Sequence, residues 1–155
     1  MPLARGGLNP RDPELTMLAQ EARNSARFVA LYAAREALRA SPVSDAPVPQ
    51  VLAALEANDI RTAVRALPKL ESLRGRLEES YWDLSDAQGG SNAPRAFEAF
   101  AKARAVNALV CALGRNVVQS AIDAIYEAYA SLEDDKADEF LESAKAMLRR
   151  YQMTR

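Results

Sequence analysis

A chain of 155 residues with 49% hydrophobic and 26% charged side chains has the size and make-up of one globular domain, which excludes a disordered or fibrous chain. Basic and acidic residues nearly cancel, 20 against 21, so no net field draws it to nucleic acid or to an anionic membrane. Histidine is absent, which removes the usual general base, the commonest metal ligand and the ordinary pH switch.

Alanine is the strongest helix former, and 31 alanines beside only six glycines predict an all-α fold. The expected architecture is a single-domain bundle of about five to six helices around a long central helix. Residues 1–12 carry Gly6, Gly7 and Pro10 and are expected to form a flexible tail ahead of one helical domain over 13–155. Their lack of a signal-peptide apolar core, together with a single cysteine (Cys111) and hence no internal disulfide, predicts a cytoplasmic location.

Asp12-Pro13-Glu14 is a helix start, with an N-cap acid, a proline in the first turn and a second acid at the positive dipole end. The helix is predicted to run to about Ala40 on a stripe of Leu15, Leu18, Ala22, Ala26, Val29, Ala33 and Ala37. Three prolines in "SPVSDAPVP", Ser41 to Pro49, end it. "VLAALEANDIRTAVRAL" then reads as two short antiparallel helices joined at Asn58-Asp59. From Pro68, Leu70, Leu73, Leu77, Tyr81 and Leu84 form one core face of the next helix. "QGGSNAP" is a loop, and Pro94 opens a helix predicted to reach Ala130.

The middle of that helix, "ALVCALGRNVVQ", is apolar nearly all round, although its uncharged run, Ala105 to Gly114, is far short of the roughly 20 residues a membrane span needs. Ala101, Ala105, Ala108 and Ala112 make a smooth ridge for close helix approach, so 94–130 is expected to be the central rod of the bundle. Phe97, Phe100, Ile125 and Tyr129 share one side of it. "SLED", Ser131 to Asp134, has a capping-box pattern before a last helix with Ala137, Phe140, Leu141, Ala144, Leu148 and Tyr151 on one face.

Three groups of residues are candidate sites. Arg104 and Arg115 lie eleven residues apart, which brings them within roughly 20° of one line on a straight helix, with Cys111 close by. They could grip an anionic ligand, or simply snorkel out of the core and pair with helix carboxylates, which is the commoner use of arginine. The acids crowding 78–86 and 133–142 suit solvated faces and a helix N-terminus more than a metal site, since helical di-metal centres use inward Glu-x-x-His pairs. Trp82 points away from the Leu70–Leu84 stripe. It stands among Glu78, Glu79 and Asp83, with Gly75 one heptad earlier leaving a hollow beside it. An apolar anchor ringed by charge is how many interface hot spots are built, and coverage of Trp82 by another helix of the same chain is the equal alternative.

No phosphate loop, no activated cysteine and no inward carboxylate cluster is legible, so neither catalysis nor a cofactor is expected. The function expected is protein–protein contact through Trp82, Gly75, Glu78, Glu79 and Asp83, as in a small bacterial immunity or antitoxin-type protein or an adaptor. The acidic stretch Glu133–Glu142 is the second-choice surface. A structural homo-oligomer such as a homodimer, and a binder of small anions at Arg104 and Arg115, are the alternatives.

Overall fold

The structure, a computed structural model, describes residues 12–86 and 93–153; the expected tail (apart from Asp12) and the "QGGSN" loop lie outside them. The described residues fold into helices joined by short turns, with no strand among them. They form α1 (Pro13–Glu21), a 3-10 turn (Arg23–Ser25), α2 (Ala26–Ala40), α3 (Val48–Glu56), α4 (Ile60–Arg65), α5 (Leu67–Asp86), α6 (Ala93–Ala112), α7 (Val117–Ser131) and α8 (Asp134–Met153). The class is the predicted one, but the described helices number eight and not five or six. Each extra break has a local cause.

The helix predicted over 13–40 is interrupted at Ala22–Ser25, where Asn24 and Ser25, weaker helix formers than alanine, stand in a tighter 3-10 turn closed by the Ser25 amide on the Ala22 carbonyl at 2.8 Å. The apolar stripe survives the interruption, since Leu15, Leu18, Ala22, Ala26, Val29, Ala33 and Ala37 are all buried. Asn58 and Asp59 end α3 and start α4 as expected. Asn58 takes a left-handed φ of 59°, and the amides of Asn58 and Asp59 turn back to the carbonyls of Leu55 and Ala54, closing a Schellman motif. The Asp59 carboxylate then caps α4 by accepting from the Thr62 amide (3.1 Å) and hydroxyl (2.6 Å).

The predicted central rod over 94–130 is two helices, which corrects the expectation. Leu113 to Asn116 form a turn, and the Asn116 side chain accepts from the Gln119 amide to cap α7. At Gly114 an added Cβ would lie 2.6 Å from Ser120 Oγ and 3.2 Å from the Cys111 carbonyl oxygen, so the turn closes too tightly there for a side chain. The carbonyl of Ala112, left open at the end of α6, accepts a hydrogen bond from Arg27 Nη1 of α2 at 2.7 Å.

The alanine ridge serves as expected: Ala101, Ala105, Ala108 and Ala112 are buried, and α6 packs on α5, α7 and α2. One continuous apolar cluster draws buried residues from all eight helices. The "SLED" capping box does not form. Ser131 is the last residue of α7, buried, with its hydroxyl donating to the Ala128 carbonyl, and Asp134 and Asp135 occupy the first turn of α8 instead.

Candidate functional site

α5 and α6 form an antiparallel hairpin whose register is fixed by side chains. Arg74 Nη1 donates to Asn107 Oδ1 (2.9 Å), Glu78 pairs with Arg104 (3.2 Å), and the rings of Tyr81 and Phe100 meet at 5.4 Å. On the other side of α6, Arg104 and Asn107 both bond Glu127 of α7. With Arg104 level with Glu127, the end of α7 at Ser131 comes level with Phe100, so the first turns of α6 and the last turns of α5 run past it. The Trp82 face lies on this projecting tip.

Trp82 is 47% exposed. Its ring stands edge-on to Tyr81 at 5.1 Å, and Tyr81 in turn packs on Phe100, beside which Phe97 lies at 6.4 Å. Phe97 is 42% exposed. Trp82 and Phe97 are thus two partly exposed apolar side chains beside the less exposed rings of Tyr81 and Phe100. Gly75 is exposed on α5, and an added Cβ there would meet nothing within 4 Å. Glu79 and Asp83 are exposed, while Glu78 is half-buried and held between Arg74 and Arg104.

At 100° per residue, Glu71, Gly75, Glu78, Glu79 and Asp86 all fall within about 60° of the Trp82 direction on α5, and no cation does. The face is apolar at its centre and acidic at its rim.

Arg104 and Arg115 are not brought together. The break after Ala112 takes Arg115 off the helix and leaves it exposed in the turn. Arg104, with its side chain 20% exposed, donates from Nη1 to both oxygens of Glu127 (2.8 and 3.2 Å), approaches Glu78, and lies 5.7 Å over the Phe100 ring. Asn107 Nδ2 bonds the same Glu127 oxygen. Arg74 Nε is within ion-pair distance of Glu78 but out of hydrogen-bond alignment, and Arg104 Nε has no acceptor. Two guanidiniums and two carboxylates therefore neutralise one another between three helices, which leaves little charge for an anion.

Cys111 sits beside this cluster. Burial, reinforced by Glu127 and Asp123 and opposed by Arg74 and Arg104, pushes its thiol up to about 12, so it is a neutral thiol and a poor nucleophile.

The acids of 133–142 line the start and exposed side of α8, where Tyr129 donates to Asp138 (3.0 Å). Among the described residues no three Cys, Asp or Glu side chains gather so as to hold a metal ion, and no helix is long and apolar enough to cross a membrane.

Sequence reasoning missed Phe97, Asn107 and Arg74. Phe97 was grouped with Phe100, Ile125 and Tyr129 on the premise of one continuous helix. With α6 ending at Ala112, the wheel does not carry across the turn, and Ile125 and Tyr129 are buried while Phe97 is partly exposed.

Comparison with protein families, with curated proteins and with solved structures finds no match to this chain.

Proposed function

We propose that this chain acts without catalysis, by protein–protein contact at the Trp82 face of the α5–α6 hairpin. The observation that carries the reading is the exposure of Trp82 and Phe97, both nearly half exposed, at the two ends of one aromatic chain, with Glu71, Glu79 and Asp86 on the Trp82 side of α5 and Glu78 already paired with Arg74 and Arg104. Large aromatics left open and ringed by charge are the commonest anchors of interfaces. The acids select an occupant with an apolar centre and a rim of lysine or arginine. A small bacterial immunity, antitoxin or adaptor protein fits a compact helical domain with one such face and no histidine.

Trp82 is the sole tryptophan, so its emission reports on the face directly. Titrating the protein with the purified products of neighbouring genes should shift that emission to shorter wavelength as the ring leaves water. The Trp82→Ala variant should bind the same product about thirtyfold more weakly or worse, and added salt should weaken the wild-type complex. Tight binding that leaves the emission unchanged and is indifferent to Trp82→Ala would place the interface elsewhere.

A further inference from the structure

We propose that the Trp82 face of one copy docks on the α2–α8 seam around Phe28 and Tyr151 of a second copy, so that the chain associates head to tail. The inference rests on the reading of the Trp82 face as a protein-binding surface and names its occupant.

The seam is the second place where a large aromatic stands open. Phe28 of α2 is 53% exposed, the most exposed large apolar side chain among the described residues. Its ring stands edge-on to Tyr151 of α8 at 5.6 Å, and one turn further along, Tyr32 stacks on Phe140 at 6.0 Å. The second pair stands one turn from the first on α2 but three turns from it on α8, in the opposite chain sense, so the two contacts tie α2 to α8 at separate points.

Its charge is of the opposite sign. Within about 60° of the Phe28 direction on α2 stand Arg35 and Arg39 and no acid. Glu36, which acts on Tyr32, pairs with Arg39 at 2.8 Å, so those two charges offset one another and Arg35 carries the positive charge on α2. Arg150, next to Tyr151, is exposed. An open aromatic with arginines meets the chemistry that the acidic Trp82 face selects, and both surfaces belong to the same chain.

The two surfaces stand on different helices of one molecule: α5 packs on α6 and α4, whereas α8 packs on α7, α1 and α2. Association of two different patches is heterologous, and each added copy presents a fresh Trp82 face at one end and a fresh seam at the other. Growth therefore continues beyond the dimer unless a ring closes. An acidic Trp82 face docked on its own copy would instead set like charges against each other.

Sedimentation of the full chain over a dilution series tests this, using wild type, Trp82→Ala, Phe28→Ala and an equimolar mixture of the two variants, each verified as folded by circular dichroism. Wild type should pass beyond dimer with rising concentration and retreat with added salt. Each variant alone should remain monomeric, with self-association weakened about thirtyfold or more. The mixture should recover a dimer and nothing larger, because only one intact face and one intact seam remain to meet. An Arg35→Glu, Arg39→Glu double variant should behave as Phe28→Ala does.

Wild type that stays monomeric throughout overturns head-to-tail association, and so does a Phe28→Ala variant that self-associates as wild type does. If Trp82 is then still covered by a different protein, the binding face stands and only the second copy is wrong. If Trp82→Ala alters no association at all, both readings fail.

Discussion

At the scale of single residues, Gly114 and Cys111 show how tightly the middle of the molecule is drawn. A Cβ at Gly114 would meet Ser120 Oγ at 2.6 Å and the Cys111 carbonyl at 3.2 Å, and the second of these is backbone that cannot swing away. Gly114→Ala should therefore cost about 1–3 kcal/mol in denaturant unfolding, as overpacking does. Adding Ser120→Ala should recover part of that loss, since Ser120 Cβ itself lies at an ordinary 3.8 Å. If the single variant were as stable as wild type, the turn would have more room than described. Cys111, its thiol pushed up from 9.0 to about 12, should carry on the order of a thousandfold less thiolate at neutral pH than a free cysteine. Iodoacetamide should label it slowly in the folded protein and quickly once denaturant unfolds the chain. Rapid labelling without denaturant would contradict the burial and acidic surroundings assigned to it.

At the scale of elements, the ends of helices were harder to read than their faces. The stripes on α2, α5 and α8 follow from apolar spacing, and Asn58-Asp59 announced itself because Asn tolerates φ above zero and Asp caps. The Gly114-Arg115-Asn116 turn carried the same two signals, a C-terminal glycine and an N-cap asparagine. They were outweighed by a strong apolar run on both sides, and periodicity reports which residues are buried, not whether the axis is straight. The closure of α6 by Arg27 was beyond reach in the sequence, because donor and acceptor are 85 residues apart. Arg27→Met, which keeps the stem and removes the donor, should cost about 1–2 kcal/mol through the lost bond to an open helix C-terminus. No change in stability would show that water caps Ala112 equally well.

The tie between α1 and α8 makes a pH prediction. The Glu14 carboxyl is held below its ordinary 4.5 by hydrogen bonds from Lys145 and then Arg149. Burial pulls the Lys145 ammonium down, but Glu14 and Asp12 outweigh it and leave it above its ordinary 10.5. The stabilisation from Glu14 is thus present above 4.5 and lost as pH falls through its lowered value, and that from Lys145 is complete below 10.5 and lost as pH rises through its raised value. Amide exchange in α1 should accelerate at both extremes relative to α7, with Glu14→Gln removing the acid limb; equal acceleration in both helices would refute the tie.

At the scale of the whole molecule, the candidate surface was legible in part. Trp82 departs from its own helix's core stripe, which is readable from one helical wheel. Phe97 was not, because its exposure depends on where α6 outruns α7, a matter of how three helices are set against one another. Nor was the neutral cluster of Arg74, Glu78, Arg104 and Glu127, which accounts for Arg104 without a ligand. The central claim is that Trp82 is held out for another protein and is not part of the packing that holds the fold. Urea unfolding of Trp82→Ala beside Leu73→Ala, followed by circular dichroism, tests it most directly, since Leu73 is 1% exposed on the same helix. Leu73→Ala should lose about 2–5 kcal/mol, the ordinary range for a buried leucine, and Trp82→Ala about 1 kcal/mol or less. A loss of about 3 kcal/mol or more at Trp82 would mark it as a residue of the core and contradict the account.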